Sequence, residues 1–149
     1  KNTFNVLLNK EHMNIDYREK LALGSICGIT ALMNAGDGPT NGFAYYLGVK
    51  YNVPHGLAGA IFLKEVIQYN INNGYSEYFI LNKSILSDFE IIYNNLNIPN
   101  LSDYNFTHKD IEQFTSGSMQ ALSGSFLGNP IEFGEDAVRT IYKNLIMEK

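Results

Sequence analysis

Asn52-Val53-Pro54-His55-Gly56-Leu57-Ala58-Gly59-Ala60-Ile61-Phe62-Leu63 places a proline and then a histidine at the start of a long apolar helix. Pro54 suits a first helical turn, where its missing N–H costs nothing because that donor has no partner inside the helix. Leu57, Ile61, Leu63, Val66, Ile67 and Tyr69 carry the apolar periodicity onward until Asn72-Asn73-Gly74 ends it. The spacing predicts a helix of about five turns. One imidazole at such a helix start has two readings: a metal ligand, or a group that hydrogen-bonds the backbone of the first turn.

Upstream, Gly36-Asp37-Gly38-Pro39 is a strong stop signal, with glycines for left-handed conformations and a proline that bars helix continuation yet lets a new helix begin. The next helix then runs over about 40–49. Before the stop, Leu21, Leu23, Ile26, Cys27, Ile29, Ala31, Leu32 and Met33 cover most of a helix circumference over 16–35. That pattern predicts a central helix contacted on several sides, with Gly24 and Gly28 one turn apart to admit a close neighbour. Downstream, helices are expected over 84–96, 107–122 and 135–147, with Thr107 as an N-cap followed three residues later by Asp110. Residues 75–81 are rich in Tyr, Phe and Ile and would suit a short strand, but a strand without a partner argues for more helix. Residues 99–106 and 123–134 read as loops. The fold class is therefore all-α, a helical bundle forming a single domain over residues 1–149.

With 149 residues, 45% hydrophobic and 17% charged, the chain is long enough to bury roughly 70% of its unfolded surface. Its net charge of −4, from 15 acidic and 11 basic residues, comes without a Lys or Arg block, which argues against nucleic acid and against an anionic membrane. Cys27 is the one cysteine, and its apolar setting predicts a buried thiol packing as a small hydrophobe in a reducing compartment. No charged-then-apolar signal opens the sequence and no apolar stretch reaches about 18 residues, so a cytoplasmic location is expected. His12 and His108 stand among polar residues and read as solvated. The turn at 36–38 lacks the spacing of a dinucleotide fingerprint, and Ser123-Gly124-Ser125 is not a nucleophile elbow.

Asn41 and Tyr45 are four residues apart and so share one helix face, and His55 follows Asn41 by fourteen residues across a short connection. Two successive helix starts can thus point at one pocket. From Gly36-Asp37-Gly38-Pro39-Thr40-Asn41-Gly42-Phe43-Ala44-Tyr45-Tyr46-Leu47-Gly48 to Pro54-His55-Gly56 and Tyr69-Asn70, the chain resembles the iron-containing (group III) alcohol dehydrogenase family. That family's signature is a small-residue turn, G-x-x-H-x-x-x-H, L-G, then P-H-G and an apolar helix. Asp16-Tyr17-Arg18 and Asn129-Pro130 extend the likeness along the chain.

The resemblance implies a nucleotide-binding N-terminal half joined to an all-helical half that supplies metal ligands, this chain being most of the helical half alone. It implies Fe²⁺ or Zn²⁺, NAD(P) and a small alcohol or aldehyde substrate for the intact parent, compatible with a homodimer and inactive without the nucleotide-binding half. His55 keeps the family's identity as a metal ligand. Asn41 stands where the family has a ligand histidine, and its amide oxygen is a weak donor for such metals beside imidazole. Tyr45 stands where relatives have a second histidine near the substrate. Asn41 and Tyr45 are thus the expected substrate contacts, and Tyr45 the catalytic candidate, a phenol able to hydrogen-bond a substrate hydroxyl. Taken by themselves, Tyr45 and Tyr46 both read as pocket-wall or core aromatics. Two alternatives remain: a metal-free helical binding or assembly module, and a sugar-processing relative similar to dehydroquinate synthase. Leu57, where that branch has a glutamate, argues against the second.

Overall fold

The computed structural model describes residues 14–147, which leaves His12 outside the described residues. Among these residues the chain is helical and has no strand, and it divides into two compact units: the described residues up to Gly36 with Glu77–Asn97, and Asp37–Ser76 with the described residues from Ile98. No helix among them is long and apolar enough to cross a membrane.

The larger unit is built on α1 (Pro39–Tyr51) and α2 (His55–Asn72), which pack against each other along most of their length. Gly38 precedes α1 in extended conformation and Pro39 occupies its first turn. Asn52 ends it in the left-handed region at φ 61°, a conformation that asparagine tolerates better than most residues. There its N–H bonds the Gly48 carbonyl at 3.1 Å and the N–H of Val53 reaches the Leu47 carbonyl at 3.5 Å. These two bonds turn the chain back in three residues. Pro54 then stands as the residue before α2, whose first residue is His55.

After a short 3₁₀ turn at Leu101–Tyr104 and a second at His108–Asp110 come α3 (Ile111–Ala121), α4 (Ser123–Leu127) and α5 (Glu135–Met147). The helix expected over 107–122 therefore begins as a tight 3₁₀ turn. Asp110 makes that start, since its Oδ2 accepts from the Thr107 N–H at 2.7 Å and from the Thr107 hydroxyl at 3.0 Å. The two stretches read as loops each contain short helical turns, which are too brief to show a periodicity.

Phe43 is the hub of the core. Its ring stacks on Phe62 at 4.4 Å between centroids, and meets Phe126 at 5.4 Å, Tyr142 at 5.2 Å and Phe133 at 6.2 Å edge to face. One side chain thereby ties α1 to α2, α4 and α5. Glycines allow the approach: a Cβ on Gly42 would lie 2.7 Å from the Phe126 ring, and one on Gly117 would clash with the Tyr46 ring. Two buried polar pairs cross between elements. Asn70 and Asn129 exchange amide hydrogen bonds at 2.8 and 2.7 Å, while the hydroxyls of Ser118 and Tyr142 meet at 2.6 Å.

The smaller unit contains α6 (Ile15–Ala35), α7 (Tyr78–Leu81) and α8 (Ile85–Leu96). Asn14 caps α6 by accepting from the Tyr17 N–H at 3.0 Å. Residues 78–81 form a helical turn, so the possible strand is not formed. α8 buries Ile85, Phe89 and Ile92, one stripe at helical spacing. The expectation of a central α6 is corrected: none of its residues is buried, and Leu23, Ile26, Ile29, Leu32 and Cys27 are all exposed. Periodicity reports only that a helix lacks a polar face, whereas burial depends on what stands beside it. Tyr17, Leu21 and Gly24 form the half-covered stripe, Cys27 lies off it, and Met33, on the opposite side at 100° per residue, is 82% exposed. A Cβ on Gly28 would meet nothing within 4 Å among the described residues, so this glycine admits no close neighbour there.

Replacing Gly117 by Ala forces a methyl into the buried Tyr46 ring and is expected to cost about 1–3 kcal/mol. Gly124→Ala, which meets nothing within 4 Å, is expected to be neutral or to stabilise by up to about 1 kcal/mol. Urea unfolding of the two variants beside the parent chain checks both.

Candidate functional site

The first turns of α1 and α2 carry the residues singled out by their spacing. Asn41 lies in the first turn of α1, half-buried, and Tyr45 follows one turn later on the outer face, 45% exposed. Tyr46 points the other way into the core, donating its hydroxyl to the Gln113 carbonyl at 3.3 Å. Tyr45 is therefore a surface side chain, and the neighbouring aromatic takes the packing role. Burial, with Tyr46 beside it, pushes the Tyr51 phenol up to about 12, so Tyr51 stays protonated and belongs to the core.

His55 is exposed at the first position of α2, and His108 is exposed on its 3₁₀ turn. One helical turn beyond His55, Gly59 faces α1: a Cβ there would lie 3.9 Å from Cγ2 of Thr40, the neighbour of Asn41. Residues at i and i+4 share a face. One turn into α2, the chain thus meets the first turn of α1.

Asn41 is engaged in a network absent from the sequence reading. Its Nδ2 donates to Asp37 Oδ2 at 2.5 Å, and the Ser125 hydroxyl of α4 donates to the same oxygen at 2.5 Å. Gly128, just after α4, fits against the Asp37 carbonyl, which would lie 2.6 Å from a Cβ at that position. Ser125 and then Asn41 hold the Asp37 carboxyl below its ordinary value, because both donate to its charged form. The four-residue interval from Asp37 to Asn41 is a signal that could have been read. Ser125 lies 88 residues from Asp37, and nothing local connects them.

Elsewhere a cleft of about 570 Å³ opens at the far end of α2, between Tyr69 and Asn73 and the Glu132–Arg139 stretch. It does not include the residues chosen from the sequence. Arg139 on its wall is neutralised by Glu112, Glu135 and Asp136, with N–O distances of 2.8, 2.7 and 2.6 Å, so the cleft is no anion site.

The family profile described as "Fe-containing alcohol dehydrogenase family, C-terminal" matches residues 5–146. The chain belongs to the iron-containing alcohol dehydrogenase family. Lactaldehyde reductase of Escherichia coli K12 is 44% identical over 55 residues, 37% of this chain and 14% of that protein. The 1,3-propanediol dehydrogenase of Klebsiella pneumoniae is 32% identical over 106 residues, 71% of this chain and 25% of that protein. A crystal structure of a 1,3-propanediol oxidoreductase superposes with a TM-score of 0.73 at 22% identity, covering 96% of this chain and 44% of that one, which shows the all-helical fold. The chain thus spans a quarter or less of these two curated relatives. The family is named for iron. Residues 14–147 do not by themselves fit a metal: no group of three His, Cys, Asp or Glu side chains stands together among them.

The Asp37 carboxylate supplies a pH test. A carboxyl with a lowered folded pKa stabilises the fold above its unfolded value of about 3.9, and that contribution is lost as pH falls through the lower folded value. The parent chain is expected to be more stable than Asp37→Asn at neutral pH, the two thermal midpoints converging as pH falls from about 5 to about 3. Parallel melts across that range check it.

Proposed function

We propose that this chain is the helical portion of an NAD(P)-dependent oxidoreductase that interconverts a small alcohol and its aldehyde or ketone. The family match across residues 5–146 carries this reading. The relatives, a lactaldehyde reductase and a 1,3-propanediol dehydrogenase, favour a short hydroxylated substrate. A nucleotide-binding half, which the family resemblance puts ahead of the helical one, would bring the nicotinamide that gives or takes the hydride.

Each residue's share follows from its chemistry and place. His55, exposed at the α2 start, offers the imidazole with which this chain would border the Fe²⁺ or Zn²⁺ of the intact enzyme. Tyr45, exposed on α1, offers a hydroxyl that can donate to a substrate oxygen or accept from a substrate hydroxyl. The Asn41 amide, one turn away on the same face, has its NH₂ group committed to Asp37, which leaves the carbonyl oxygen as its acceptor. A hydroxyl-bearing substrate finds both hydrogen-bonding senses along this strip.

The polypeptide joined to its nucleotide-binding half is expected to consume NADH or NADPH with short aldehydes, and the 149-residue chain alone is expected to show no turnover. His55→Ala in the joined protein is expected to lower kcat/KM by at least about 100-fold, whereas Tyr45→Phe raises KM more than it lowers kcat. Steady-state absorbance at the nicotinamide band reads all four outcomes, and sustained turnover by the 149-residue chain alone sinks the proposal.

A further inference from the structure

We infer that residue 41 is a hydrogen-bonding pin between α1 and α4, and that carrying asparagine there leaves the α1–α2 corner without metal affinity of its own. In an iron-containing family, a corner built from two helix starts is where metal donors would be sought, and the donor set in this chain does not answer that need. His55 is one imidazole, and Asn41 brings a neutral amide. Catalytic sites for Zn²⁺ take three protein donors from Cys, His, Asp and Glu, and no such trio stands together among the described residues.

What Asn41 does instead follows from its partners. Its Nδ2 and the Ser125 hydroxyl converge on one oxygen of Asp37, each at 2.5 Å. A carboxylate oxygen accepting two donors is a strong junction, since hydrogen bonds to an ionised group are about twice as strong as neutral ones. The junction has a mechanical use. α4 is five residues long, far below the length at which a helix sustains itself. It is held by Phe126 pressed against Gly42, by the Ser125 hydroxyl on Asp37, and by Gly128 fitted to the Asp37 carbonyl. The first turn of α1 has no side-chain cap from Gly38. The Asp37–Asn41 side-chain bond braces that end, and Ser125 ties α4 to it.

Gly59, one turn after His55, faces Thr40, the residue next to 41. An imidazole placed at 41 would stand on the turn that Gly59 meets, so two imidazoles there should hold a metal more tightly than one, short of the three donors of a full site.

The full 149-residue chain is tested by equilibrium dialysis against Zn²⁺ and, under anaerobic conditions, Fe²⁺, with metal content read by elemental analysis and folding checked by circular dichroism. The parent chain is expected to retain no more metal than His55→Ala. Asn41→His is expected to bind at least about tenfold tighter than the parent, a gain lost in the Asn41→His, His55→Ala double variant. The pin is read separately by thermal unfolding in chelator. Asp37→Ala and Asn41→Ala are each expected to lower the midpoint by about 2–4 °C, and together by little more than either alone.

One metal ion per parent chain, lost in Asn41→Ala, overturns the inference, as does the absence of any gain in a folded Asn41→His chain. Additive losses in the Asp37 and Asn41 pair overturn the pin. Should Asn41→His fail to fold, metal retention by the parent and by Asn41→Ala still decides. None of these readouts involves turnover, so they stand apart from the dehydrogenase assay.

Discussion

The stack of Phe43 on Phe62 is the contact on which the larger unit depends. Its 4.4 Å centroid separation joins α1 to α2, and the rings of Phe126, Phe133 and Tyr142 gather around Phe43. Aromatic pairs contribute about 0.5–1.5 kcal/mol beyond the area they bury, and here several share one ring. Because the hub sits two residues past Asn41, the same packing that closes the core also fixes the first turn of α1. The candidate site is thus a by-product of the hydrophobic core: its outer face displays Asn41 and Tyr45 while the inner face is occupied by aromatics.

Around this hub, polar pairs set register. The Asn70–Asn129 amide exchange and the Ser118–Tyr142 bond each link elements far apart in sequence. An amide or hydroxyl buried without a partner costs about 1–3 kcal/mol, so a shifted packing that broke either pair would be penalised. Glycine does the same by subtraction. Gly42 and Gly117 are positions where a ring occupies the space of a Cβ, and each admits one ring in one place. Burial drives the helices together, and these pairs and gaps choose how they meet.

The helices of the larger unit were legible because their signals are local. Pro39, Pro54 and the Asn72-Asn73-Gly74 stop sit at or beside the observed boundaries of α1 and α2, and Thr107 with Asp110 marks the start that leads into α3. The resemblance carried by Gly36 to Gly56 and by Pro54-His55-Gly56 led to the family that the profile then matched. Two things were not legible. The exposure of α6 depends on neighbours that its own apolar residues do not name, so Cys27 was expected inside and lies outside. The Asp37–Ser125 bond joins residues 88 positions apart, and a serine in a small-residue run gives no hint of its partner. Sequence pattern reads periodicity and caps well, and long-range polar pairing poorly.

The order in which the units use the chain has a consequence for how the polypeptide can be cut. The smaller unit takes residues before and after the segment Asp37–Ser76, and the larger unit takes residues on both sides of Glu77–Asn97. The two are threaded through each other along the sequence, so neither is a contiguous piece that a gene could donate or a protease could release intact. A break near residue 76 would leave each unit holding only by noncovalent contacts what it had held by the backbone, turning an intramolecular closure into an association between fragments; a break near 97 would do so for the larger unit alone.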